Sequence, residues 1–100
     1  MKLQVQSLHF DADGKLIDFI QKKLDKLEIF FDKIIGAEVI LRLDKDDGKE
    51  NKIVEVKLSI PGNDLFAKEK AKSFEAATDE VTEALRKQLH KYKEKMMSHS

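Results

Sequence analysis

The chain has no cysteine and no tryptophan among its 100 residues, and only one proline. Without thiols there is no disulfide framework, no thiolate metal site and no cysteine nucleophile, a composition that suits the cytosol. Net charge is also missing: 19 Lys and Arg stand against 19 Asp and Glu. A protein without a bulk positive field is not drawn to every polyanion, so any nucleic-acid site must be local. No segment approaches the roughly 20 apolar residues that cross a bilayer. Met1-Lys2-Leu3-Gln4-Val5-Gln6 lacks the apolar core of a signal peptide. We expect a soluble, cytoplasmic chain with no membrane partner.

Catalytic constellations are equally scarce. His9, His90 and His99 are scattered, and HxxxH, HExxH, GxxxxGK[ST] and GxGxxG are all absent. Asp44, Asp46, Asp47 and Gly48 form a weak calcium-loop pattern, but the later spaced ligands and terminal Glu are missing. A solvated hairpin turn accounts for them better. We expect no enzyme activity, no cofactor, no metal and no small-molecule substrate, because no nucleophile, base and electrostatic stabiliser converge.

What the chain does have is clean periodicity. Leu3, Val5 and Ser7 alternate with polar residues, which predicts a strand over 2–8. Asp13 is placed to cap a helix over about 14–31 that buries Leu16, Ile17, Ile20, Leu24, Leu27 and Phe31. Gly36 closes the next loop. Ala37, Val39, Leu41 and Leu43 define a second strand, followed by a charged turn over 44–49. Val54, Val56, Leu58 and Ile60 define a third, and the turn Pro61-Gly62-Asn63-Asp64 leads to a fourth over 65–71. The last helix starts near Ser73 and turns Phe74, Thr78, Val81, Leu85, Leu89, Tyr92 and Met96 inward.

The predicted class is therefore α+β in the order β-α-β-β-β-α, with two helices packed on one face of a four-stranded sheet whose first two strands pair in parallel. One domain covers 1–97, and 98–100 form a frayed tail.

The last helix ends in a basic block, Leu85-Arg86-Lys87-Gln88-Leu89-His90-Lys91-Tyr92-Lys93-Glu94-Lys95. At roughly 100° per residue the cations fan over the half opposite the Leu85–Leu89–Tyr92 stripe. Bases at a helix C-terminus complement its dipole, but that effect fades within one turn and does not need so many. Helix one adds Lys22, Lys23 and Lys26, with Lys33 just beyond, and Phe19 and Phe30 flank the same side. If the helices share a face of the sheet, Lys22, Lys23, Lys26, Lys33, Arg86, Lys87, Lys91, Lys93 and Lys95 form a two-helix surface for phosphates. Gln88 and His90 add hydrogen-bonding groups, while Tyr92 falls in the apolar stripe and is assigned to the core. A surface of this kind suits folded RNA, read by shape and backbone. The competing reading is a basic amphipathic helix that docks on an acidic protein or an anionic surface.

Two segments carry a family resemblance: Lys26-Leu27-Glu28-Ile29-Phe30-Phe31-Asp32-Lys33-Ile34 and the block from Leu85 to Lys95. In this order and spacing the chain resembles, over essentially its whole length, the short ribosome hibernation-promoting factors, also called ribosome-associated inhibitors or sigma modulation proteins. The resemblance implies a double-stranded-RNA-binding-domain-like fold. It implies a monomer that binds the small ribosomal subunit and its rRNA at the decoding-centre channel, blocks tRNA and mRNA, and inhibits translation in idle ribosomes. Lys23, Lys26, Lys33, Lys87, Lys91, Lys93 and Lys95 match basic positions of the family pattern. Lys22, Arg86 and His90 come from the surface reading alone. The chain departs from the pattern at Lys87, where arginine is common and its planar fork is lost. It also departs at Lys72-Ser73-Phe74-Glu75-Ala76-Ala77, where enteric members read D-M-Y-A-A, and at Ala84, where they carry another base. Neither the tail of the inhibitor-type members nor the dimerisation domain of the long form is expected.

Overall fold

Alternation of apolar and polar residues builds the sheet. In the computed structural model, which describes residues 1–45, 48 and 50–97, β1 (Lys2–Ser7), β2 (Gly36–Leu43), β3 (Lys52–Ile60) and β4 (Asn63–Ala71) lie side by side in that order. β1 pairs with β2 in parallel, and the other pairings are antiparallel. The register sets Val5, Val39, Val56 and Ala67 in one row, and Leu3, Ala37, Leu58 and Leu65 in the next. Period two sends the neighbouring rows, such as Gln4, Glu38, Lys57 and Phe66, to the other face.

Two helices cover the apolar face. α1 (Gly14–Phe30) starts where Asp13 Oδ1 accepts from the Leu16 amide at 2.8 Å, and it buries Ile20, Leu24 and Leu27. α2 (Phe74–Met97) starts where Ser73 Oγ accepts from the Ala76 amide at 3.0 Å. It lies over β3 and β4 with α1 beside it, and buries Ala77, Thr78, Val81, Leu85 and Leu89. The Thr78 hydroxyl donates to the Phe74 carbonyl at 2.7 Å, so its burial leaves no polar group unmatched. The helix and inward strand residues form one core.

Two glycines have specific tasks. Gly62, at φ 77°, takes the left-handed position of the tight turn that follows Pro61. Gly36 passes so close to β1 that a Cβ there would sit 2.9 Å from the Lys2 carbonyl oxygen.

The fold matches the predicted α+β order, with local differences. β1 stops at Ser7, Phe31 is the extended cap of α1, and β2 begins at Gly36 itself. The turn between β3 and β4 is shorter than predicted, because Asn63 and Asp64 already pair with Ile60 and Ser59. Ile17, Leu43 and Met96, expected inside, are 37%, 46% and 53% exposed. Each points toward the apolar side at an element's edge or end, where nothing packs over it. Ile34 and Ala77 were not anticipated in the core, and Ile53 is buried outside it. The charged turn at Asp46, Asp47 and Lys49, and the frayed tail over 98–100, lie outside the described residues.

Truncating Leu85, which is fully buried, to Ala is expected to cost about 2–5 kcal/mol in urea titrations. Asp13→Ala, which removes the α1 cap, is expected to cost about 1 kcal/mol. Met96→Ala is expected to stay within about 0.5 kcal/mol. An equally large loss at Met96 would contradict its exposed placement.

Candidate nucleic-acid interface

The helices are parallel, as their contacts show. Midway along α1, Lys23 Nζ meets Asp79 Oδ1 near the start of α2 at 2.9 Å. At the end of α1, the Phe30 ring lies 6.0 Å from the His90 ring. Lys93 Nζ donates to the Phe30 carbonyl at 3.1 Å and sits 4.9 Å from the centre of its ring. The last carbonyls of a helix have no partner within it, so Lys93 supplies the donor that the end of α1 lacks.

This arrangement divides the predicted cations into three groups. Lys23, Lys26 and Arg86 line the groove between the helices, together with Leu27, Phe30, Asp79, Thr82 and Glu83. Lys33 and Lys93 border a cleft at the paired helix ends, against Ile29, Phe31, Asp32 and Met96. Arg86, Lys87, His90 and Lys91 line a shallow depression along the outer ridge of α2. Lys22 lies two residues past Ile20, roughly 200° around α1, and is exposed on the side away from the core. Lys91 and Lys95 follow Gln88 at helical spacing, and Gln88 Nε2 donates to the Phe66 carbonyl of β4 at 2.9 Å. That flank faces away from α1, so Lys91 and Lys95 extend the ridge and do not enter the groove.

Pairing separates the groups further. In the groove, Lys23 is held by Asp79 and lies 5.5 Å from the Phe19 ring centre. Arg86 forms a two-nitrogen contact with Glu83, with Nε at 3.0 Å from Oε2 and the second nitrogen on Oε1. The Arg86 guanidinium, by that hydrogen bond and then by its charge, with a smaller contribution from Lys87, holds the Glu83 carboxyl below its ordinary range. His90 Nε2 lies 3.0 Å from Glu94 Oε1. Among the described residues Lys22, Lys26, Lys33, Lys87 and Lys91 have no ion-pair partner. The groove thus carries acids paired with its bases, whereas on the ridge Lys87 and Lys91 stand without an ion-pair partner, with Glu83 and Glu94 about one turn away.

Tyr92 is half-buried, edge-on to Phe31 at 5.8 Å, and its hydroxyl donates to the Pro61 carbonyl at 3.3 Å, so it belongs to the fold as assigned. Gln88, expected to serve a ligand, is engaged by the edge strand. The acids of the groove were not anticipated as part of the site. The spacing of Glu83 and Arg86, three apart on one helix, is the signal that could have found one of them. Among the described residues no group of side chains could hold a metal ion, and no helix is long and apolar enough to cross a membrane.

Residues 3–97 match the family described as sigma 54 modulation protein / S30EA ribosomal protein. The chain belongs to this family. It is 34% identical over 98 residues to the ribosome hibernation promoting factor of Pseudomonas putida, covering 98% of this chain and 92% of that one. It is 27% identical over 99 residues to the factor of the same name from Escherichia coli K12, covering 99% and 100%. Among solved structures, a ribosomal subunit interface protein from Coxiella burnetii superposes with a TM-score of 0.82 at 26% identity, over 93% of this chain and 98% of that one. The N-terminal domain of Thermus thermophilus Protein Y shares the fold, with a TM-score of 0.79 at 24% identity over 92% and 99% of the two chains.

Within this family fold, Lys93 and Lys91 have separable roles. Lys93→Ala is expected to lower stability by about 1 kcal/mol, because the Phe30 carbonyl loses a charged donor. Lys91→Ala is expected to stay within about 0.5 kcal/mol. Equal stabilities of the two variants in parallel urea titrations would refute the capping role.

Proposed function

We propose that the protein is a ribosome hibernation factor that binds rRNA of the small subunit at the decoding-centre channel. There it occludes the path of tRNA and mRNA and inhibits translation in idle ribosomes. The observation that carries this reading is the exposed ridge of Arg86, Lys87, His90 and Lys91 on a chain related end to end to ribosome hibernation promoting factors. A line of cations along one helix neutralises successive phosphates and releases their counterions, while a net charge of zero keeps the rest of the surface indifferent to RNA. The body is slender, 50 × 24 × 18 Å, a shape suited to a channel that holds RNA. Occlusion needs no catalytic group: the core side chains hold the helices, and the helices present charge.

The triple variant Lys87→Glu, Lys91→Glu and Lys95→Glu is expected to lose co-sedimentation with small subunits while keeping its circular dichroism spectrum, since none of the three is buried. Removing the charge of Lys87 alone should flatten the plot of log affinity against log salt by about 0.9. Retained co-sedimentation of the triple variant would overturn the ridge as the contact surface. A partner that survives RNA digestion in pull-downs would point to an acidic protein instead.

A further inference from the structure

The groove between the helices contains three cations, Lys23, Lys26 and Arg86, yet two of them are already matched, by Asp79 at 2.9 Å and by the two-nitrogen contact with Glu83. Neither acid is needed by the core. Asp79 and Glu83 are 54% and 51% exposed, and their pairs lie at the surface, where such contacts open easily. Placing carboxylates beside the bases of an RNA-binding face works against phosphate affinity.

We propose that Asp79 and Glu83 are specificity-determining residues, acting as built-in counterions that reject arbitrary RNA while admitting an RNA surface of matching chemistry. This rests on the helix face being the RNA contact. A phosphate entering the groove meets two carboxylates as well as the cations, and close like charges penalise it. A 2′-hydroxyl or an exocyclic amino group donates to a carboxylate and is accepted. An arbitrary duplex also carries 2′-hydroxyls in its minor groove, but wherever its phosphate backbone crosses groove and ridge together it meets the carboxylates and is disfavoured. A folded rRNA surface that sets phosphates along Lys87 and Lys91, and hydroxyls or amino groups against Asp79 and Glu83, carries no such penalty. Discrimination of this kind comes from raising the cost of the wrong partner.

The test compares the wild-type chain, Asp79→Asn/Glu83→Gln and Lys87→Glu/Lys91→Glu in fluorescence-anisotropy titrations over a range of salt. The two probes are a short RNA duplex of arbitrary sequence and purified small ribosomal subunits. The amide variant is expected to bind the duplex about fivefold more tightly per carboxylate neutralised at low salt. Its salt plot should steepen by up to about 0.9 for each uncovered cation. Its preference for subunits over duplex should fall. Unchanged duplex affinity and slope overturn the proposal, as does an equal gain on both probes. The single amide variants give the same readout should the double variant prove unstable. If the amide variant behaves like wild type while Lys87→Glu/Lys91→Glu loses subunit binding, only the counterion role fails. If Lys87→Glu/Lys91→Glu binds subunits normally, the helix face itself is wrong and the counterion role falls with it.

Discussion

A sheet that is apolar on one face has only that face to bury, and both helices of this chain must share it. The rows through Val5, Val39, Val56 and Ala67, and through Leu3, Ala37, Leu58 and Leu65, are the surface they cover. Strand directions then decide how the helices point. β1 is parallel to β2, and two antiparallel steps later β4 runs the same way as β1. Each helix doubles back over the sheet after its own strand, α1 after β1 and α2 after β4, so the two run parallel and end together. Parallel helices set their two negative dipole ends side by side. The Lys93 side chain on the Phe30 carbonyl is one local response to that crowding of carbonyls.

The same geometry divides the labour among the cations. Lys93 holds one helix end, Lys23 and Arg86 are matched by acids across and along the groove, and Lys87 and Lys91 stand on the ridge without an ion pair. A lysine's usefulness to a ligand depends on its neighbours as much as on its own charge. Counting bases on a helical wheel treats these residues as equals, and the contacts rank them.

Much of this was legible beforehand because it is written in short-range periods. Alternation along Leu3–Ser7, Ala37–Leu41 and Val54–Ile60 specifies strands, and the spacing of Ile20, Leu24 and Leu27 behind Asp13 specifies a capped helix. Periodicity names a face but says nothing about what covers it, which is why Ile17, Leu43 and Met96 were placed inside and lie exposed. The division of the basic surface was hidden for a related reason. Whether Lys91 joins Lys26 depends on the rotation of α2 about its axis, and that is set by packing on β3 and β4 and by the contact of Gln88 with Phe66.

By itself the sequence determined the element order, the inward stripes, the concentration of bases at the end of the last helix and the kinship carried by its two motifs. These depend on residue type and on spacing along the chain. Only the tertiary structure decided that Lys93 closes α1, and that Asp79 and Glu83 pair with the groove's cations while Lys87 and Lys91 are left without an ion pair. Those facts join residues far apart in the chain, Lys23 with Asp79 and Phe30 with Lys93, and such distances follow from strand direction and packing, which no local period encodes.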